Sequence, residues 1–117
     1  MIQVSFEIPL RLYSIANMSE HWGKRAARSR NERWLGKIYT NQNVLHHVMG
    51  VGRFKIALTR TGPRKLDSDN LASSFKHVRD GIADALGIND GSEKLEWIYK
   101  QEISKAYFVK VEIEELK

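Results

Sequence analysis

Between Leu71 and Leu86 the apolar residues Leu71, Phe75, Val78, Ile82, Ala85 and Leu86 fall on one face when the chain is wound at about 100° per residue. Asp69, Ser73, Lys76, Asp80 and Asp84 fall on the other. That pattern predicts one amphipathic helix that must bury a single face. Asp69 stands where an N-cap is expected, just before the apolar series. Gly87 stands where a helix ends in left-handed backbone. The turn Ile88-Asn89-Asp90-Gly91-Ser92 follows.

The rest of the chain supplies what such a helix can pack on. Ile2, Val4, Phe6 and Ile8 alternate with polar residues, a half-buried strand that Pro9 ends. Ser19 offers an N-cap oxygen to a first helix over about Glu20–Ile38. A second strand runs over Val51–Thr61 and stops at Gly62-Pro63. Leu95, Trp97 and Tyr99 mark a third strand, and Tyr107, Val109, Val111 and Ile113 a fourth. The short link near Ser104-Lys105 reads as an antiparallel hairpin between them. The expected fold is α/β of the α+β type. Its order is β-α-β-α-β-β, with two main helices packed on a mixed sheet in one domain over residues 1–117.

The first helix carries Lys24, Arg25, Arg28, Arg30, Arg33 and Lys37, and Arg64-Lys65 follow the second strand. The formal net charge is +5. Guanidinium forks pair with phosphate oxygens, so these eight residues are candidate contacts to a nucleic-acid backbone. A solvated amphipathic helix is the alternative reading of the same charges. There is no cysteine, which excludes disulfides and thiolate metal sites and fits a cytoplasmic setting. His46-His47 is an adjacent pair whose rings point apart, a poor metal site. The first residues carry no basic leader with a long apolar run, so no signal peptide is expected. No stretch approaches the roughly 18 apolar residues of a membrane span, and no membrane partner is expected.

In this basic chain every aspartate lies between Asp67 and Asp90. If Asp67 lies in extended chain and Asp69 at the cap, their side chains share one side and can reach one ion. Asp90 joins them only if its turn, or a second copy of the chain, brings it back. Hard oxygen ligands favour Mg²⁺, or Mn²⁺, over zinc. Such an ion suits phosphodiester hydrolysis. Lys76 could add positive charge near the scissile phosphate, or pair with Asp80 one turn on. Read individually, Asp-x-Asp-Asn is also an ordinary capping sequence and Asn-Asp-Gly-Ser an ordinary turn.

The combination L-D-S-D-N-L, a helical lysine, and R-D-G-I-A-D-A-L-G-I-N-D-G resembles the core of the RusA family of Holliday junction resolvases, over about Arg64–Ser92. The resemblance implies a Mg²⁺-dependent endodeoxyribonuclease that works as a homodimer on branched, four-way DNA. Such enzymes nick two opposed strands in recombination and repair, and are often carried by phages. It implies Asp67, Asp69 and Asp90 as the catalytic, metal-holding acids and Asp80 as a secondary acid. The family lysine usually follows Asp-Asn more closely, where this chain has Ser73. Lys76 takes that role if Ala72-Ser73-Ser74 is an insertion. The family turn often holds two acids, and here only Asp90. The alternative is a non-catalytic basic nucleic-acid-binding protein, such as a phage regulator, in which the aspartates are caps and surface charges.

Overall fold

A computed structural model of the chain describes residues 3–13, 22–44 and 52–116. Ser19, Glu20, His46, His47 and Val51, which carried sequence expectations, lie outside these ranges. The elements are β1 Gln3–Ile8, α1 Trp22–Asn43, β2 Arg53–Gly62, α2 Ser68–Ser74, α3 Lys76–Leu86, β3 Leu95–Ile103 and β4 Phe108–Leu116. The α+β class is as expected: helices packed on a four-stranded mixed sheet.

The sheet order is β1-β4-β2-β3. β2 pairs with β3 in parallel and with β4 antiparallel, and β4 pairs antiparallel with β1. The expected β3–β4 hairpin is therefore wrong, because β2 lies between the two strands. From Phe54 onward almost every residue of β2 is buried, which suits a central strand and not an edge. The link from β3 to β4 crosses over the end of β2. There the Ser104 N–H donates to the Gly62 carbonyl at 2.9 Å. A Cβ on Gly62 would meet the Tyr107 ring at 3.3 Å, so a larger residue at this crossing would require the ring to shift by a few tenths of an ångström.

Phe54, Ile56 and Leu58 of β2 and Val109, Val111 and Ile113 of β4 bury against Phe75, Val78, Ile82 and Leu86. The apolar face read from sequence is thus the buried one, except that Ala83 is buried and Ala85 only half so. The single helix expected here is two. Phe75 separates α2 from α3, with its N–H bonded to Ala72 O, three residues back, at 3.3 Å. Ser73 Oγ donates to Asn70 O and Ser74 Oγ to Leu71 O, at 3.2 and 2.7 Å. These hydroxyls load the carbonyls that the next turn would use, and the helix breaks there. Phe75 is fully buried and stacks on Tyr99 at 5.6 Å.

α1 runs five residues past its expected end at Ile38. Thr40 is fully buried, and Asn43 Nδ2 donates to Tyr39 O at 2.7 Å. α1 crosses α3 at glycines on both sides. A Cβ on Gly36 would stand 2.7 Å from Val78 O, and one on Gly81 would overlap Arg33 O. The two backbones touch, and this contact decides what α1 can present to the acids of α3.

Candidate functional site

Two groups of acids flank α2 and α3. The first is Asp67 and Asp69. Gln101 of β3 clamps the chain just before them: Leu66 N–H donates to Gln101 Oε1 at 3.0 Å, and Gln101 Nε2 donates to Leu66 O at 2.9 Å. Asp67 follows in extended backbone at φ −61°, ψ 154°, and it is the N-cap of α2. The sequence placed the cap at Asp69. The cap belongs to Asp67 because its carbonyl accepts the first helical bond, from Leu71 N–H at 2.7 Å. Asp69 sits in the first turn. The Asp67 side chain makes no capping bond, so its carboxylate is not consumed by the duty that explains such residues elsewhere. Both carboxylates are exposed. Lys76 is the exposed first residue of α3, and no ion pair joins it to Asp80 among the described residues.

The second group is Asp80 and Asp90, with Asp84 beside them. A Schellman ending turns the chain after α3: Ile88 N–H bonds Ala83 O at 3.1 Å and Gly87 N–H bonds Asp84 O at 3.2 Å, with Gly87 at φ 69°. Asn89 Oδ1 accepts from Gly91 N–H at 2.9 Å and shapes the turn that carries Asp90. The Asp90 carbonyl accepts from Trp97 Nε1 at 2.9 Å and from Arg79 Nη2 at 3.3 Å. Arg79 in turn lies over the Trp97 ring at 4.8 Å and donates to Tyr99 Oη at 2.6 Å. In this frame Asp90 and Asp80 line the same pocket, and the Asp90 carboxylate lies 3.7 Å from Arg79 Nη2. Burial raises the Asp80 pKa above its ordinary 3.8, and the charge of Asp90 and the bond with it raise it further. The pair lines an open pocket of about 240 Å³ shared with Arg33, Asp84 and Asn89.

Arg33 reaches this pocket because Gly81 lets α1 lie against α3. Its Nε and Nη2 grip Asp84 Oδ2 and Oδ1 at 2.7 and 3.0 Å. The bond with Asp84, then its charge, raises the Arg33 pKa. Two of the helix's candidate DNA contacts are therefore engaged inside the chain. Arg33 holds Asp84, and Arg28 pairs with the buried Glu32 at 3.5 Å and lies over Tyr13 at 5.4 Å. Lys24, Arg25, Arg30 and Lys37 are exposed on α1, as are Arg64 and Lys65 after β2.

Asp80 and Asp90 thus come together, and Asp67 and Asp69 adjoin each other. Among the described residues no three His, Cys, Asp or Glu side chains form a metal-holding group, so one chain does not gather Asp67, Asp69 and Asp90 at one point. Arg79, Trp97 and Gln101 carry the framing and were missed in the sequence. Gln101 had a signal: it continues the Leu95-Trp97-Tyr99 alternation, where an apolar residue was due. Arg60 continues Phe54-Ile56-Leu58 in the same way.

No protein-family model and no curated protein matches the chain. Among solved structures it is similar to the crystal structure of thiamine-monophosphate kinase from Stenotrophomonas maltophilia K279a, at 11% identity and a TM-score of 0.39. That alignment covers 98% of this chain and 31% of the kinase chain, and a likeness of this degree carries no argument about chemistry. No helix among the described residues is long and apolar enough to cross a membrane.

Proposed function

We propose that the chain is a RusA-like, divalent-metal-dependent endodeoxyribonuclease that nicks branched DNA as a homodimer. The observation that carries the reading is the Asp80–Asp90 carboxyl pair, held in an open pocket beside the basic helix α1. The negative charge of Asp90 disfavours ionisation of Asp80, and a cation between the two would relieve that repulsion. Mg²⁺ commonly takes one or two carboxylates and keeps water in its other positions, so the pair and its pocket fit Mg²⁺ or Mn²⁺. Asp90 and Asp80 would hold the ion, which when bound activates water and neutralises charge at a phosphodiester.

The chain's own residues do the rest. Arg79 and Trp97 fix Asp90 by its backbone, and Arg79 Nη2 also lies 3.7 Å from the Asp90 carboxylate, so an ion here would share Asp90 with that guanidinium. Gln101 fixes the approach to Asp67, whose carboxylate is free of capping. Lys24, Arg30, Lys37 and Lys65 would grip phosphates on either side. A second copy, related by a two-fold axis, would bring one protomer's Asp67 and Asp69 toward the other's Asp90, and would present two sites to two opposed strands. Lys76, the exposed first residue of α3, would add positive charge toward the scissile phosphate.

A second reading has its own support. Arg33 holds Asp84 and Arg79 lies 3.7 Å from Asp90, so these acids also serve as structural ion pairs in a basic nucleic-acid-binding protein. One titration separates the two. Four-way junction DNA, added with and without Mg²⁺, should bind in both conditions and be cut only with metal. Salt-sensitive binding with no cutting at any metal concentration would favour the second reading.

A further inference from the structure

Arg60 is a charged residue on the apolar side of a central strand, and only 6% of it is exposed. Its two hydrogen bonds go to main-chain carbonyls: Nη1 to Arg64 O at 2.7 Å, and Nε to Leu12 O at a long 3.5 Å. It has no carboxylate partner among the described residues. A guanidinium stays charged at any working pH, so burying it without an anion is costly. Burial lowers its pKa, and the nearby Arg11 lowers it further.

Arg60 lines an open groove of about 670 Å³ together with Arg11, Arg64, Tyr13, Tyr107 and Leu66. No acid lines this groove among the described residues. Arg11 sits between two rings, 4.7 Å from the centre of Tyr13 and 4.4 Å from that of Tyr107. Stacking of this kind steadies the plane of a guanidinium and leaves its N–H edge available. Three guanidinium groups with no counter-charge among the described residues, one of them buried and anchored by carbonyls, make a site suited to a multiply accepting anion.

We infer that this groove binds phosphate, and that in the working protein the phosphate belongs to a nucleic-acid backbone. The chemistry of the groove calls for an oxyanion with several acceptor oxygens, and the choice of phosphate in a polymer as that anion rests on the nucleic-acid reading above. Leu66 lines the groove and the next residue is Asp67, so a bound strand would be led from Arg60 and Arg64 toward the start of α2. The groove would therefore set which phosphodiester reaches the acids.

The test is the salt dependence of binding to a DNA duplex and to a four-way junction, in EDTA, for the wild type, Arg60→Gln, Arg11→Gln and Arg64→Gln. Each lost phosphate contact should lower the slope of log K against log salt by about 0.9 on duplex DNA, equally for unrelated sequences. Arg53→Gln, at the opposite end of β2, controls for net charge and should leave the slope unchanged. Arg11 and Arg64 are exposed, so they carry the test even if Arg60→Gln fails to fold. Inorganic phosphate at millimolar levels should compete with DNA for the wild type more than for the variants if the groove takes free phosphate as well. Unchanged slopes in Arg11→Gln and Arg64→Gln, with DNA still bound, would overturn the inference and leave the nuclease reading intact. Lowered slopes without metal-dependent cutting would uphold the groove and overturn the nuclease. A wild type that binds no DNA would overturn the groove's assignment to a polymer together with that reading.

Discussion

Gly81 of α3 lies directly against the main-chain carbonyl of Arg33 in α1, and an added Cβ would also stand 2.8 Å from Lys37 N. The obstruction is backbone, which cannot swing aside as a side chain would. The contact lets Arg33 reach Asp84 and places the basic helix beside the Asp80–Asp90 pocket.

Gly81→Ala should therefore destabilise the fold. At an open helical site the same change would stabilise by up to about 1 kcal/mol, because alanine is the better helix former. Here overpacking should cost about 2 kcal/mol or more, so the sign alone is informative. Urea unfolding would show a lowered midpoint with an unchanged slope. An unchanged or raised midpoint would mean that the helices do not touch at this point.

Asp80 has a proton affinity raised by burial and by Asp90. A carboxyl whose pKa is raised by folding favours the folded state most at low pH, and that contribution is lost as pH rises through the raised value. Without metal, stability should fall above the ordinary carboxylate value of 3.8, and Asp80→Asn should flatten that fall. At pH 7, Mg²⁺ should raise the melting temperature of the wild type and not of Asp80→Asn. Equal shifts in both proteins would remove Asp80 from the metal site.

His77 shows the opposite sign. Burial lowers its pKa from 6.5, and Lys76 lowers it further against the attraction of Asp80. Its ring sits 3.0 Å from Ser29 Oγ, which ties α3 to α1. The neutral form suits the fold, so its contribution is present above pH 6.5 and is lost as pH falls through the lowered value. His77→Gln should reduce the loss of stability on acidification in a pH series of thermal melts.

Gln101 touches neither acid, yet it holds both main-chain groups of Leu66. Gln101→Leu would leave a half-buried N–H and C=O without their partner, at a cost of about 1–3 kcal/mol. If Asp67 works where the structure puts it, cutting should fall more than DNA binding does. Equal losses in both would point to general unfolding.

Much of the fold was legible because burial follows period. Val109, Val111 and Ile113 alternate and lie inside, and Val78, Ile82 and Leu86 recur at helical spacing and do the same. The break at Phe75 was hidden because the apolar face continues through it, while the cause lies in the hydroxyls of Ser73 and Ser74. The order of the strands was not legible either. A short link reads as a hairpin, and nothing local says that β2 fills the gap beneath Ser104 and Tyr107. At the candidate site, aspartates could be listed from sequence but not paired. That Asp90 meets Asp80 depends on Arg79 and Trp97, which are brought together only by the sheet.

Incubating the purified protein with a synthetic four-way DNA junction and Mg²⁺ tests the proposal most directly, with Asp90→Asn as its partner. The wild type is expected to place paired nicks in two opposed strands only when metal is added, and Asp90→Asn to bind the junction without cutting it. Cutting by Asp90→Asn equal to the wild type, or cutting in EDTA, would contradict the proposal, as would an uncut junction bound by the wild type across the Mg²⁺ and Mn²⁺ range.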